Sequence, residues 1–132
     1  MSSRVLAHGI RAVFPAGFDS VANAVRDYDP ASNVYFTVLS TSPRVAVAFG
    51  QKFFFRIGHY LSCMTLVIER DSETEVRIIA HSGLQLSALS NYGANVDYAR
   101  DVLDRLSKSL GVDPRDVVEV DYMDVTKSQQ LG

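Results

Sequence analysis

The chain of 132 residues has little cysteine, no long apolar run and no strong excess of charge of one sign. The single cysteine, Cys63, excludes an internal disulfide and a zinc site built from several cysteines. The longest apolar segment, 61–68, has the length of a strand and is far too short to span a membrane. A net charge of −2 disfavours a globally basic nucleic-acid-binding protein.

Sequence motifs with a known chemical mechanism are also absent from the chain. We find no glycine-rich phosphate loop, no HExxH, no CxxC, no GxSxG and no EF-hand loop. The histidines His8, His59 and His81 fall in separate predicted strands or turns, and their spacing does not support a metal site. We therefore predict no cofactor and no metal, and we favour a non-catalytic protein over an enzyme.

The composition and the N-terminal residues indicate the class of protein. With 47% hydrophobic and 21% charged residues, the chain is typical of one folded domain. We place this domain at 1–125 and expect 126–132 to form a flexible C-terminal tail. Residues 1–8 lack the apolar core of a signal peptide, and a lone cysteine fits a reducing compartment. The expected location is the cytoplasm.

Two segments carry the periodicity of amphipathic helices. In the segment 95–110, apolar residues recur at spacings of three and four, with Asn95 as the expected N-cap and Gly111 after the C-terminus. The segment 19–28 is a shorter helix that ends at Asp29-Pro30.

The remaining segments are rich in β-branched and aromatic residues, which is typical of strands. Short turns join the central ones, so they should pair antiparallel, and Gly50 is the expected position of a bulge. The predicted strands are 3–14, 33–41, 44–57, 60–70, 75–82 and 117–122. The order β-α-β-β-β-β-α, with a final β, predicts an α+β domain in which two helices pack on one face of a four- to six-stranded antiparallel sheet.

The opposite face of this sheet should be unusually apolar. Period-two alternation places Val76, Ile78 and Ala80 under the helices. We expect the other face to present Tyr35, Leu39, Phe54, Leu61, Val67 and Ile79, interrupted by Arg56, Arg77 and His81. Since monomers rarely expose large apolar patches, something should cover this face. The candidates are a second copy of the chain, which we favour as a dimer, a terminal segment of the same chain, or a ligand.

The loop 82–95 is the segment that most resembles a ligand-binding site. It mixes amide and hydroxyl groups with leucines and ends at a helix N-terminus, whose free N–H groups favour anions. The same leucines and Asn95 also fit a purely structural loop. The candidate ligand-binding residues are Arg56, His59, Arg77, His81, Ser82, Asn91, Tyr92 and Asn95. A basic and aromatic surface around 44–60 is the only feature that suggests nucleic acid, and the net charge disfavours it.

The stretch from Arg44 through Leu106 resembles small families of uncharacterised proteins, known as domains of unknown function. The shared pattern is FFFRIGHYLSCMTL, then VRIIAHSG, a loop, an aromatic-Gly-x-Asn step and an amphipathic helix. Such families are similar in layout to TATA-binding-protein-like and helix-grip folds, in which a curved sheet wraps around a helix. The resemblance implies a fold and carries no catalytic residue to this chain.

From the sequence we favour a binding or assembly domain that self-associates through the open sheet face. A small-molecule or lipid-like pocket between the sheet and the long helix is a further expectation. The alternative is a small hydrolase-like enzyme that uses His81 and the loop 82–95.

Overall fold

Six strands form one antiparallel sheet, and both helices pack against the same face of it. The computed structural model describes residues 7–29, 32–82, 88–121 and 123–132, and the backbone alone at 88–92. In chain order the elements are β1 (Ala7–Phe14), α1 (Phe18–Arg26), β2 (Asn33–Leu39), β3 (Val45–Phe54), β4 (His59–Arg70), β5 (Glu73–His81), α2 (Ala88–Leu110), β6 (Arg115–Asp121) and a 3-10 helix at Lys127–Leu131. The predicted fold class and element order are confirmed.

The order of strands across the sheet differs from their order in the chain. It runs β2-β3-β4-β5-β1-β6, so β1 lies between β5 and β6. The central strands form the predicted meander, joined by short turns. The first and last strands of the chain, β1 and β6, extend the sheet beyond β5. The sheet therefore has two edges, β2 and β6.

The hydrophobic core lies between the sheet and the two helices. Alternate residues of the strands point into it, and their partners on α2 recur at helical spacing. From the sheet and from α2, the core contains Ile10, Ala12, Phe14, Ala46, Ala48, Leu61, Cys63, Val67, Val76, Ile78, Ala80, Ala94, Tyr98, Ala99, Val102, Leu103 and Leu106. The prediction that Val76, Ile78 and Ala80 lie under the helices is confirmed. No helix within the described residues has both the length and the hydropathy to cross a membrane.

The long helix begins earlier than the periodicity predicts. It starts at Ala88, so the prediction that Asn95 caps its N-terminus is wrong. Asn95 is fully buried inside the helix. The first turns lack the regular apolar stripe that marks the later ones, and periodicity therefore did not detect them. The end of the helix is as predicted, because Gly111 adopts the left-handed conformation with φ +69°.

The irregularity predicted at Gly50 lies in the pairing of β2 with β3. Asn33 pairs with Gly50 and Tyr35 with Phe49, so the extra residue is Val34, on the opposite strand. Gly50 is required there for a steric reason. A Cβ at this position would lie 2.9 Å from the carbonyl oxygen of Ser32.

The C-terminal residues, for which the sequence predicts a flexible tail, contain the 3-10 helix and lie against the sheet. Leu131 and Met123 are buried with Ala7 and Val120 in a small second cluster. Gly9 provides the space they occupy, because a Cβ there would lie 2.4 Å from the Met123 sulfur. Met123 and Leu131 therefore pack this segment against β1 and β6. Neither residue lies in a predicted strand or helix, so periodicity did not indicate their burial.

We predict that Gly50→Ala destabilises the protein by about 1 to 3 kcal/mol, because the added methyl group must displace backbone of the neighbouring strand. The matched control is Gly17→Ala, since a Cβ at Gly17 has nothing within 4 Å. Urea denaturation of both variants measures the difference. Equal stabilities of the two variants would contradict the steric role of Gly50.

Candidate functional site

The face of β2–β5 that lies opposite the helices is here called the open face. No helix or strand of the described residues packs on its β2, β3 and β4 part, whereas Ile79 on β5 packs against the C-terminal cluster. The strand pairings fix the members of the open face. They are Tyr35, Thr37 and Leu39 on β2; Val45, Val47, Phe49, Gln51 and Phe53 on β3; Tyr60, Ser62, Met64, Leu66, Ile68 and Arg70 on β4; and Glu73, Glu75, Arg77, Ile79 and His81 on β5.

Several residues that the sequence places on this face point the other way. Tyr35, Leu39, Ile79, Arg77 and His81 lie on the open face as expected. The placement of Phe54, Leu61 and Val67 is wrong, because all three pack in the core under the helices. A one-residue change of register exchanges the two faces of a strand, and the sequence of an isolated strand that is apolar on both sides does not fix that register.

The part of the open face formed by β2, β3 and β4 is apolar and exposed. Tyr35 is 57% exposed, Leu39 47% and Phe49 42%, whereas Val47 and Leu66 between them are half-buried. None of the side chains from Tyr35 to Ile68 on this face is charged. The sheet thus presents a continuous apolar field of three strands to the surroundings.

An aromatic cluster extends this apolar field beyond the end of β3. The Phe53 ring contacts Tyr60 edge-on at 5.1 Å between centroids, and it contacts Phe55 at 5.0 Å. Phe55 is 91% exposed in the turn between β3 and β4. Phe53 and the two rings that it contacts remain accessible and form an amphipathic contact surface of the kind enriched at interfaces.

The other end of the open face is charged, and its centre is one buried carboxylate. Glu75 is 1% exposed and receives hydrogen bonds from three guanidinium groups. The closest nitrogen of Arg77 lies 2.6 Å from a Glu75 oxygen, that of Arg11 3.1 Å and that of Arg70 3.2 Å. Arg11 and Arg77 are direct neighbours on β1 and β5. We call Glu75 with Arg11, Arg70 and Arg77 the arginine cluster.

The arginine cluster determines the ionisation of Glu75. Burial by itself would raise the pKa of this carboxyl group. The hydrogen bonds and positive charges of Arg11 and Arg77 outweigh burial and hold the pKa below its ordinary value. Glu75 is therefore ionised at neutral pH, and it requires the arginines to remain so in a buried position.

The helix side of the sheet contains a small internal space lined by polar groups. Tyr28, Asn33, Cys63, Thr65 and Tyr98 contribute to its walls. Its volume of about 10 Å³ holds at most one water molecule. This space is too small for the small-molecule or lipid-like ligand that the sequence suggests. Burial raises the pKa of Cys63 to about 12, so this thiol is not a nucleophile.

An ionic network closes the outer side of this space. The Tyr28 hydroxyl donates to Asp101 at 2.7 Å, and Asp101 also contacts Arg105 at 3.2 Å and Lys52 at 3.5 Å. Burial raises the pKa of Tyr28, and the bond to Asp101 adds to that effect. The network links the segment after α1 to α2 and β3, which indicates a structural role.

The sequence-predicted ligand residues are divided between the two faces of the sheet. Arg56 lies in the turn between β3 and β4 and forms an ion pair of 2.7 Å with Asp97 on α2. His59 begins β4 on the same side, paired with Phe54. Ser82 is buried at the end of β5, and Asn95 is buried in α2. The structure therefore brings Arg56 into contact with α2.

The other predicted residues lie elsewhere. Arg77 and His81 are on the open face, on the opposite side of the sheet from Asn95. Residues 83–87 of the candidate loop lie outside the described residues, and 88–95 are the beginning of α2. The side chains of Asn91 and Tyr92 likewise lie outside them. The eight candidate residues do not form one site in the part of the chain that the structure describes.

The sequence analysis overlooked Arg11, Arg70 and Glu75, although these form the most strongly charged group on the open face. They lie on three different strands and match no motif. The available signal was a charged residue at alternate positions of strands that are otherwise apolar. Within the described residues, no three metal-ligating side chains lie close enough together to hold an ion.

Comparison with known proteins adds little to this geometry. No family model and no curated protein matches the chain. Among solved structures, the chain is similar to the 18 kDa protein CC1736 from Caulobacter crescentus, solved in solution. The two are 14% identical with a TM-score of 0.41, over 80% of this chain and 99% of that one. Similarity at this level does not indicate a shared function.

We predict that Glu75→Gln destabilises the protein by about 1 to 3 kcal/mol at pH 7, because it removes the charge that three arginines share. The folded-state pKa of Glu75 is lowered, so its stabilisation is present above its ordinary value of 4.5 and disappears as the pH falls through the folded-state pKa. The difference between wild type and variant should therefore shrink on acidification.

Denaturant unfolding between pH 3 and pH 7 measures this effect. Asp104→Asn, on an exposed position of α2, is the matched control and should remain close to wild type throughout. A stability difference for Glu75→Gln that stays constant over this pH range would contradict the assigned ionisation.

Proposed function

We propose that this protein is a non-catalytic assembly domain that forms a homodimer through the open face of β2, β3 and β4. The observation that supports the proposal is the uncharged, exposed apolar field around Tyr35, Leu39 and Phe49. Exposed apolar surface of this extent is costly in water, and its burial stabilises a complex by about 25 cal/mol per Å².

The dimensions and borders of the open face agree with those of an interface. Three strands spaced about 4.8 Å apart, each about ten residues long at about 3.3 Å per residue, give a projected area of roughly 500 Å². Stable interfaces bury about 800 Å² of accessible surface on each partner. Gln51 and Ser62 lie between the field and the aromatic cluster, and the arginine cluster borders the field at its other end. An apolar centre with a polar border is typical of interfaces.

The two edges of the sheet support a second copy as the partner. The β6 edge carries Arg115, Asp116, Glu119 and Asp121, and charges of this kind prevent pairing with other strands. The β2 edge, Asn33–Leu39, has no charged residue and no proline. Its apolar side chains are exposed on both faces, including Val38 at 43%. An interface that includes β2 is compatible with a two-fold axis, since an uncharged apolar surface carries no charge to repel its own copy.

The hydrolase alternative has less support. His81 is exposed on the open face, whereas Ser82 is buried and Asn95 lies on α2 behind the sheet. A nucleophile and its base must be within hydrogen-bond reach of each other. The sheet separates these groups, so we do not assign them a common site.

The test of the proposal is the molar mass of the protein in solution. We predict that wild type has twice the chain mass of 14.6 kDa by size-exclusion chromatography with light scattering at micromolar concentration. Leu39→Asp should raise the dissociation constant by about 100-fold or more, because a carboxylate must then be desolvated in the interface.

The matched control is Val117→Asp at the other edge of the sheet. Val117 is 46% exposed, against 47% for Leu39, so both changes place a carboxylate at an equally accessible position. The control should remain dimeric. A wild-type protein that is monomeric at several hundred micromolar, or a control variant that dissociates equally, would overturn the proposal. The first outcome would point to a different partner for the open face.

A further inference from the structure

We infer that the arginine cluster is a binding site for a phosphate-type oxyanion. The reason is an excess of positive charge and of hydrogen-bond donors over what the structure itself uses. Three guanidinium groups converge on one carboxylate, and one carboxylate neutralises one of them. Arg11 and Arg77 are cross-strand neighbours, a placement of like charges that is unfavourable unless another group compensates it.

The acceptor capacity of Glu75 is already used. Its two oxygens accept from a terminal nitrogen of Arg11, from Nε and a terminal nitrogen of Arg70, and from Nε of Arg77. The buried Nε of Arg11 has no hydrogen-bond partner among the described residues, so it remains an unused donor. Arg77 bonds Glu75 through Nε, and the backbone of Gly132 lies beside its terminal nitrogens. Glu75 thus holds the three arginines in place without exhausting their donors.

The other acidic groups at this corner of the sheet have a separate partner. Glu73 and Asp116 both bond to Arg115. Asp116 acts on Arg11 only through its charge, and Asp71 is exposed in the turn before β5. Among the side chains at the centre of the cluster, three positive charges therefore face the single negative charge of Glu75, with the Gly132 backbone beside Arg77.

The geometry suits a tetrahedral dianion better than a carboxylate. Guanidinium groups bind phosphate through parallel N–H donors, and three groups on neighbouring strands approach a ligand from different directions. The arginines are 21% to 46% exposed, which leaves the ligand a path from solvent. Next to Arg77, Leu66 offers an apolar contact for an organic substituent on the phosphate. The site lies at the border of the apolar field and does not depend on dimerisation.

The experiment is isothermal titration of the purified full chain with inorganic phosphate, sulfate, acetate and phenyl phosphate, at ionic strength balanced with sodium chloride. We expect saturable binding of phosphate and sulfate with a dissociation constant below about 1 mM, and at least tenfold weaker binding of acetate. Tighter binding of phenyl phosphate than of phosphate would identify a phosphorylated small molecule as the ligand. Equal binding would identify the free anion.

Arg77→Gln should weaken phosphate binding about tenfold or more. Arg70→Gln, the most exposed of the three, is the second variant if the first does not fold. The control is Arg26→Gln, whose arginine is paired with its neighbour Asp27 and exposed on α1. Absence of saturable binding to wild type, equal affinity for acetate, or an equal loss in the Arg26→Gln control would each overturn the inference. These results do not depend on the molar mass that tests the proposed dimer.

Discussion

The structure depends on one constraint: a six-stranded sheet is covered by helices on one face only. Strands alternate their side chains between two faces. Every side chain that points away from α1 and α2 is therefore covered by another part of the chain, paired with a polar partner or left exposed. At the β1 and β6 end, Met123 and Leu131 fill the space above Gly9. At the centre, arginines pair with a buried carboxylate. On β2, β3 and β4 no element of the described chain provides cover, and this difference along one face is the basis of the proposed function.

Much of the fold follows from local sequence patterns, and the exceptions have identifiable causes. Short turns predicted the meander of β2 to β5, and helical periodicity located the buried part of α2. The position of β1 between β5 and β6 was not predictable in the same way, because it rests on pairings between residues far apart in the chain. The wrong placement of Leu61 and Val67 has a related cause. When both sides of a strand are apolar, only the pairing with its neighbours determines which side faces the helices.

The candidate site was less predictable than the fold for the same reason. The sequence indicated correctly that the open face contains Tyr35, Leu39, Arg77 and His81. It did not connect Arg77 with Arg11 and Arg70, which are distributed over three strands. The loop 82–95 was predicted to bind a ligand because it is rich in polar groups, yet its final residues form the beginning of α2. A site assembled across strands leaves no contiguous motif, whereas a site in a loop does, and sequence reasoning favours the second kind.

The charged residues of the open face are concentrated at one end of it. Positive groups and their acidic partners are concentrated where β5 approaches β1 and β6, and the uncharged field begins at Met64 and Leu66 and continues to the β2 edge. If the apolar field served only to complete the fold, the β2 edge would be expected to carry the charges that protect β6. The contrast between the edges therefore favours contact of β2 with another molecule. The border between the two regions, where Arg77 lies beside Leu66, joins a polar anchor to an apolar surface, as interfaces do at the boundary between centre and rim.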